Sequence, residues 1–212
     1  MQRHIRVAAL LGLAFVLAGA RPALYADTKS PVEEIRKELM QLPYYSVFDY
    51  LAFSYDRGTV TLMGYAYHLG LKQDAVRAAK RAPGVDQVID KIEELPVSQF
   101  DDDIRWKTYY AIYRDPFLSR YAPGGGLLWG HRHPFGAGFH GGVGGPRFPG
   151  MEPLGDYPIH IIVKNGRTML MGVVDNESDK TVAGMRAREV PGAFAVDNEL
   201  VVEKEAPKST KK

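Results

Sequence analysis

The chain has 212 residues, with 27 lysine and arginine residues, 25 aspartate and glutamate residues and no cysteine. This length gives room for one or two ordinary domains, and the lack of cysteine excludes disulfides, a thiol nucleophile and a lipid-attachment cysteine. The nearly balanced charge gives no general electrostatic reason to bind nucleic acid, which requires clustered cations against phosphates.

The first 26 residues have the layout of a secretory signal peptide. Arg3 and Arg6 precede an uncharged apolar run over residues 7–19, and small residues follow. Because a membrane-spanning helix needs about 20 apolar residues, we favour a cleaved signal over an uncleaved anchor. Cleavage after Ala20 or Ala26 fits, and we place it after Ala26. That cut removes three of the 27 basic residues and leaves 24 against 25 acidic ones, which predicts a near-neutral, soluble, exported chain.

Residues 27–96 predict a first small domain. Ser30 and Pro31 are typical of a helix start, and Pro43 ends this helix. Its predicted core face consists of Val32, Ile35, Leu39 and Leu42. The residue pattern then predicts a strand over 47–55, a turn at Gly58, a strand over 59–67, a helix from Leu71 to Ala82 and a strand over 85–95.

Residues 97–206 predict a second domain, after a short linker around 96–100. Asp101, Asp102 and Asp103 are expected to cap a helix over 104–113, and this position favours capping over a cation site. The following elements are predicted as a strand over 159–163, an Asn165-Gly166 turn, a strand over 168–174, a helix over 178–189 and a strand over 194–203.

The two domains are copies of one unit, displaced by 108 positions. Glycines at turn positions carry most of this match, since a turn that needs a positive φ accepts glycine without steric cost. The matched pairs include Gly58 with Gly166, Gly64 with Gly172, and Gly84 with Gly192. The predicted fold class is α/β (α+β): two small α-β-β-α-β domains, each a three-stranded mixed sheet with two helices on one face.

A glycine-rich insertion over residues 123–158 interrupts the second domain, and a lysine-rich tail occupies 207–212. Both are predicted to be disordered, because they offer few apolar side chains to offset backbone entropy. The insertion contains His131, His133 and His140, whose imidazoles are weak candidates for a metal site. No fourth ligand accompanies them, so a solvated loop is the favoured interpretation and no metal is assigned.

Both copies resemble the BON domain: a hairpin with a glycine turn, a helix ending near Pro-Gly, and a strand with Asp or Asn near its centre. The residues that carry the resemblance are Gly58, Val60, Leu62, Gly64, Gly84, Val85, Val88 and Ile92 in the first copy and Gly166, Thr168, Leu170, Gly172, Gly192, Val196, Asn198 and Leu200 in the second. Two features depart from the pattern, namely Ala193 where the first copy has Val85, and the glycine-rich insertion.

The resemblance implies a tandem BON-domain protein of the periplasm, like osmotically inducible and outer-membrane maintenance proteins of Gram-negative bacteria. Such modules are associated with phospholipid surfaces and envelope integrity, and neither catalysis, a cofactor nor a small-molecule substrate is implied. The sequence itself contains no Gly-x-Ser-x-Gly elbow and no phosphate-binding Gly-x-x-x-x-Gly-Lys loop. We therefore expect that the protein is not an enzyme.

The helix over 104–113 has two apolar faces. Ile104, Thr108, Ala111 and Ile112 form the predicted core stripe, and the other face carries the candidate site residues Trp106, Tyr110 and Tyr113, flanked by Arg105 and Lys107. Aromatic rings beside cations suit a bilayer interface, so the expected partner is an anionic phospholipid surface. The alternative is that these rings pack against the first domain or are covered by the glycine-rich segment. An envelope protein is the second expected partner, bound by a periplasmic interaction or chaperone-like module.

Overall fold

The computed structural model describes residues 30–122, 153–155 and 157–203. The predicted signal peptide, most of the predicted glycine-rich insertion with His131, His133 and His140, and the predicted tail lie outside these residues.

The first copy follows the predicted order of elements. Ser30 caps the first helix, its side chain accepting the Glu33 N–H while the Glu33 carboxylate accepts the Ser30 N–H. The elements are α1 (Pro31–Met40), β1 (Tyr50–Asp56), β2 (Thr59–Ala66), α2 (Leu71–Arg81) and β3 (Gln87–Glu94).

The second copy repeats this order with a longer first helix and a divided last strand. Its elements are α3 (Gln99–Tyr113), a 3-10 turn (Ser119–Tyr121), β4 (Ile159–Lys164), β5 (Arg167–Val174), α4 (Glu177–Arg188), β6 (Ala195–Asn198) and β7 (Val201–Val202). The single strand predicted over 194–203 is wrong in detail. It is divided into β6 and β7, which both run parallel to β5.

Strand pairing confirms the predicted fold class and the duplication. In each copy the hairpin is antiparallel and its second strand lies between the first strand and a parallel third strand. Leu51 pairs with Gly64, and Ile159 pairs with Gly172, which are the same positions displaced by 108 residues. Gly64 and Gly172 share a φ of 124°. The repeat in the sequence is therefore a repeat of the backbone.

Each copy has an apolar core between its sheet and its helices. In the first copy the buried residues include Ile35, Leu39 and Leu42 of the predicted helix face, whereas Val32 is exposed, contrary to prediction. The core of the second copy includes Ile104, Ile112 and the apolar side chains of β4 and β5. Two residues of the first copy, Val47 and Phe48, also belong to this second core.

The segment 44–49 is not part of a strand of the first sheet, so the predicted strand over 47–55 begins too early. β1 begins at Tyr50. Val47 instead lies beside β4 of the second copy, where its carbonyl oxygen accepts the Ile161 N–H at 2.8 Å. The reason is tertiary: the apolar side chains of Val47 and Phe48 are buried in the second core.

The two copies meet through equivalent segments. Ser46 and Leu154 occupy matching positions and form an antiparallel bridge. It is flanked by two hydrogen bonds, from Val47 N–H to Pro153 O at 3.0 Å and from Gly155 N–H to Tyr45 O at 2.8 Å. Exchanging the copies maps each hydrogen bond onto the other, so a local two-fold axis passes through the bridge. The copies contact each other here as subunits of a symmetric dimer do.

In the described part of the chain, none of the helices combines the length and the apolar character needed to cross a membrane.

Candidate functional site

Helix α3 begins five residues earlier than predicted, and the aspartates do not cap it. Ser98 is the N-cap, and its side chain accepts the Asp101 N–H. Asp101 is buried and its carboxylate accepts the N–H groups of Asn165 at 2.9 Å and Gly166 at 2.8 Å. Asp101 therefore fastens the start of α3 to the β4–β5 turn. The predicted linker over 96–100 is shorter, since Gln99 already belongs to the helix.

Arg105, one of the five predicted site residues, lies in the interior. It is 0% exposed, donates a hydrogen bond to the Val163 carbonyl oxygen and pairs with Asp102. Its guanidinium carbon lies 4.7 Å from the ring centroid of Tyr67, a first-copy residue. Arg105 thus joins α3 to β4 and to the first copy, and its charge does not face solvent.

Tyr113, also a predicted site residue, is only 1% exposed. Its hydroxyl donates to the Ile159 carbonyl oxygen at 2.5 Å, and its ring contacts those of Tyr109 and Tyr157. This side chain holds α3 against β4. The predicted aromatic face therefore ends at Tyr110.

Three predicted site residues lie at or near the surface of α3. Tyr110 is 36% exposed, and Trp106 and Lys107 are half-buried. The Trp106 and Tyr110 ring centroids are 5.9 Å apart, and the inner side of the indole contacts Phe48 edge-on at 5.3 Å. Trp106 therefore packs against a first-copy side chain, as the alternative interpretation expected, and its other side still reaches the surface.

A further residue, Arg114, belongs to this surface. Its guanidinium carbon lies 4.3 Å from the Tyr110 ring centroid, and the side chain is exposed. The sequence carries one signal for it, a spacing of four residues from Tyr110, which places both on one helix face. We define the α3 outer face as Trp106, Lys107, Tyr110 and Arg114.

Several basic residues on helices α2 and α4 pair with acidic neighbours. On α2, Lys72 pairs with Asp90, Arg77 with Asp74, and Arg81 with Glu38. On α4, Arg186 pairs with Asp115 and Glu189. The α3 outer face differs in that its cations lie beside aromatic rings, with Arg114 over Tyr110, so it is the stronger candidate for an anionic partner.

Histidine does not form a metal centre among the described residues, where no group of three or more metal-ligating side chains comes together. His160 is buried in β4, and its Nε2 lies 3.3 Å from the Tyr45 hydroxyl. His68 stacks on Tyr44, with ring centroids 5.7 Å apart. Both histidines contact tyrosines of the segment 44–49, so they belong to the packing between the copies.

Three tyrosines behind the α3 outer face have raised pKa values. Burial is the main cause of the raised pKa of Tyr109, Tyr113 and Tyr157. Neighbouring phenols raise the pKa of Tyr113 and Tyr157 further, because two phenolates would repel each other, whereas a hydrogen bond with Tyr157 lowers the pKa of Tyr109. The neutral hydroxyls are therefore favoured in the folded protein.

These pKa values predict a loss of stability in alkali. Above about pH 10 the unfolded chain loses its tyrosine protons while the folded chain retains them, so the free energy of unfolding falls as pH rises. Urea unfolding at about pH 8 and about pH 10.5 measures the fall. In Tyr157→Phe the fall should be smaller, since that variant has one fewer buried phenol. An equal fall in both proteins would contradict the assignment to this cluster.

Comparison with known families identifies the repeated unit. The BON domain model matches residues 53–96 and again residues 151–204. These two matches run from β1 to the end of β3 and from before β4 to the end of β7, so each copy contains a BON domain and the two domains lie in tandem. BON domains are a non-enzymatic family of modules that associate with phospholipid or the cell envelope, or bind other proteins.

Other comparisons add little. No curated protein matches the chain. Among solved structures, the chain is similar to the C-terminal domain of CdsD, a structural protein of the type III secretion system of Chlamydia trachomatis. The identity is 14%, the match covers 84% of this chain and 100% of that chain, and the TM-score is 0.26. A second CdsD structure matches at 14% identity over 82% of this chain and 93% of that chain, with a TM-score of 0.24. At these TM-scores the likeness supports no shared role.

Proposed function

We propose that this protein is a non-catalytic, exported binding protein of the periplasm that associates peripherally with anionic phospholipid and supports envelope integrity or the osmotic stress response. The observation that carries the proposal is the α3 outer face, where an indole, a phenol and two cationic side chains lie together. Support comes also from the two BON domains, a family associated with membranes.

The chemistry of this face suits the headgroup region of a bilayer. Trp and Tyr rings are amphipathic and concentrate at membrane interfaces, where Lys and Arg meet lipid phosphates. Near an anionic surface each cation contributes about 1 kcal/mol, so Lys107 and Arg114 together with partly exposed rings give reversible rather than permanent attachment. Arg114 already lies over the Tyr110 ring, which positions one cation beside one aromatic group before any lipid is bound.

Vesicle sedimentation tests the proposal. The mature chain should sediment with vesicles that contain phosphatidylglycerol and much less with phosphatidylcholine alone. The double variant Lys107→Gln/Arg114→Gln should lose about tenfold or more in affinity, because two interfacial charges are removed. Tyr110→Ala should weaken binding further in the same background.

A matched control removes two charges elsewhere. Arg77→Gln/Arg81→Gln removes two α2 cations that lie outside the α3 outer face, so its affinity should stay close to that of the parent chain. Equal losses in both double variants would show general charge attraction without a site. Unchanged binding of the Lys107/Arg114 variant would exclude the α3 outer face.

The second candidate function is a periplasmic protein-interaction or chaperone-like module. One observation favours it: β4 already accepts an extended segment at its edge, through the hydrogen bond from Ile161 N–H to Val47 O. A chain that fails to sediment with any vesicle but crosslinks reproducibly to defined envelope proteins would favour this candidate.

A further inference from the structure

Two exposed phenylalanine rings stack on the hairpin turn of the second copy. Phe194 is 79% exposed and Phe100 is 48% exposed, with ring centroids 5.7 Å apart and planes 28° from parallel. They lie directly on Gly166, where an added Cβ would come within 2.5 Å of the Phe194 ring. We call Phe100, Phe194 and the turn residues 164–167 the aromatic tip.

The first copy has the same backbone conformation at this turn, but its side chains differ in charge and in aromatic character. The Phe194 N–H donates to the Gly166 carbonyl oxygen at 2.8 Å, just as the Asp86 N–H donates to the Gly58 carbonyl oxygen at 2.7 Å. From the first copy to the second, the matched side chains change from Asp56 to Lys164, Arg57 to Asn165, Thr59 to Arg167, and Asp86 to Phe194. An acidic turn has become an aromatic turn with two cations.

Folding does not explain the Phe194 ring. Because most of the Phe194 surface stays in contact with water, it contributes little burial to the core, and the first copy forms the same turn with an aspartate at this position. An exposed aromatic pair with flanking cations is the kind of surface that marks a binding site. The flanking Lys164 and Arg167 pair with Glu93 and Asp197 at the protein surface, where such pairs are weak and can be exchanged for other anions.

We propose that the aromatic tip enters the headgroup region of an anionic bilayer, with the Phe100 and Phe194 rings in the acyl boundary and Lys164 and Arg167 at lipid phosphates. The occupant is a lipid surface because the change of charge between the copies complements anionic headgroups and the rings supply an apolar wedge. Phe100 lies in the first turn of α3, so the tip and the α3 outer face are carried by one helix. This inference rests on the proposed function and adds an apolar anchor to it.

The first test replaces the ring with the first-copy side chain. Phe194→Asp should lower the affinity of the full mature chain for phosphatidylglycerol vesicles about tenfold or more. The variant loses the phenyl ring that would be buried in the bilayer, and it adds a negative charge. The control is Leu69→Asp, which makes a comparable change at an exposed apolar residue of the first copy and should leave affinity unchanged. Equal affinity of Phe194→Asp and the parent chain overturns the inference.

The second test locates the tip directly. Because the chain has no cysteine, Phe194→Cys and Leu69→Cys each accept a single environment-sensitive fluorophore. On vesicle binding the label at 194 should shift to shorter wavelength and be quenched by brominated acyl chains, while the label at 69 should not change. Sedimentation with an unchanged label at 194 overturns the tip and leaves the proposed function standing. Absence of sedimentation for the parent chain overturns both.

Discussion

Gly172→Ala should destabilise the protein by about 3 kcal/mol or more, and Gly64→Ala should do nearly the same. At Gly172 the backbone has a φ of 124°, and an added Cβ would lie 2.1 Å from the Pro158 carbonyl oxygen. At Gly64 the φ is again 124° and the Cβ would lie 2.0 Å from the Tyr50 carbonyl oxygen. Both obstacles are backbone atoms, so relief requires the strands to part. Urea unfolding of the full chain measures the change.

Gly155→Ala separates the cost of the positive φ from the cost of the clash between the added Cβ and a backbone oxygen. Gly155 has a similar φ of 119°, but among the residues that the structure describes no atom lies within 4 Å of a Cβ built there. This variant carries the cost of the backbone conformation without the clash and should lose about 1 kcal/mol. If Gly155→Ala were as destabilising as Gly172→Ala, the close approach of the strands would not be the main reason for glycine.

These glycines explain how much of the fold the sequence predicts. A positive φ beside a carbonyl oxygen excludes other residues, so the matched glycines repeat the backbone even where side chains differ. The helices and hairpins were predicted for the same reason: their periodicity, proline boundaries and turn glycines act locally. These local signals together predict the order of the elements and hence the fold class.

What the sequence did not predict depends on contacts between the copies. Residues 44–49 contain apolar and aromatic side chains typical of a strand, yet Val47 and Phe48 serve the second core. Arg105 looked like a surface cation because arginine is rarely buried. Its partners, the Val163 carbonyl oxygen and the Tyr67 ring, come from distant elements that a helix projection does not show.

The aromatic tip lies at positions where the two copies differ. The repeat is recognised from positions that agree, such as Gly166 with Gly58, whereas Phe194 stands where the first copy has Asp86. Residues that are the same in both copies indicate the shared fold. Residues that differ at equivalent backbone positions indicate a function of one copy that the other lacks. Both proposed binding surfaces lie on the second copy and share α3.

The first copy nevertheless supports the α3 outer face from behind. Phe48 is fully buried, and its ring meets Trp106 at 5.3 Å, Tyr67 at 5.8 Å and Tyr109 at 6.3 Å. Since Tyr67 and Phe48 belong to the first copy and Trp106 and Tyr109 to α3, the ring connects the two domains. The position of Trp106 at the surface therefore depends on a side chain 58 residues earlier.

Phe48→Ala should lower the free energy of unfolding by about 3–5 kcal/mol, because a fully buried phenyl ring leaves a cavity between the copies. The loss should fall on the second copy, so hydrogen exchange at Ile161, whose N–H donates to Val47 O, should accelerate more than exchange in β2. Phe53→Ala is the control, since Phe53 is a half-buried phenylalanine that packs on the core of the first copy. If Phe48→Ala accelerated hydrogen exchange more in β2 than in β4, this would contradict the role of Phe48 as the link between the domains.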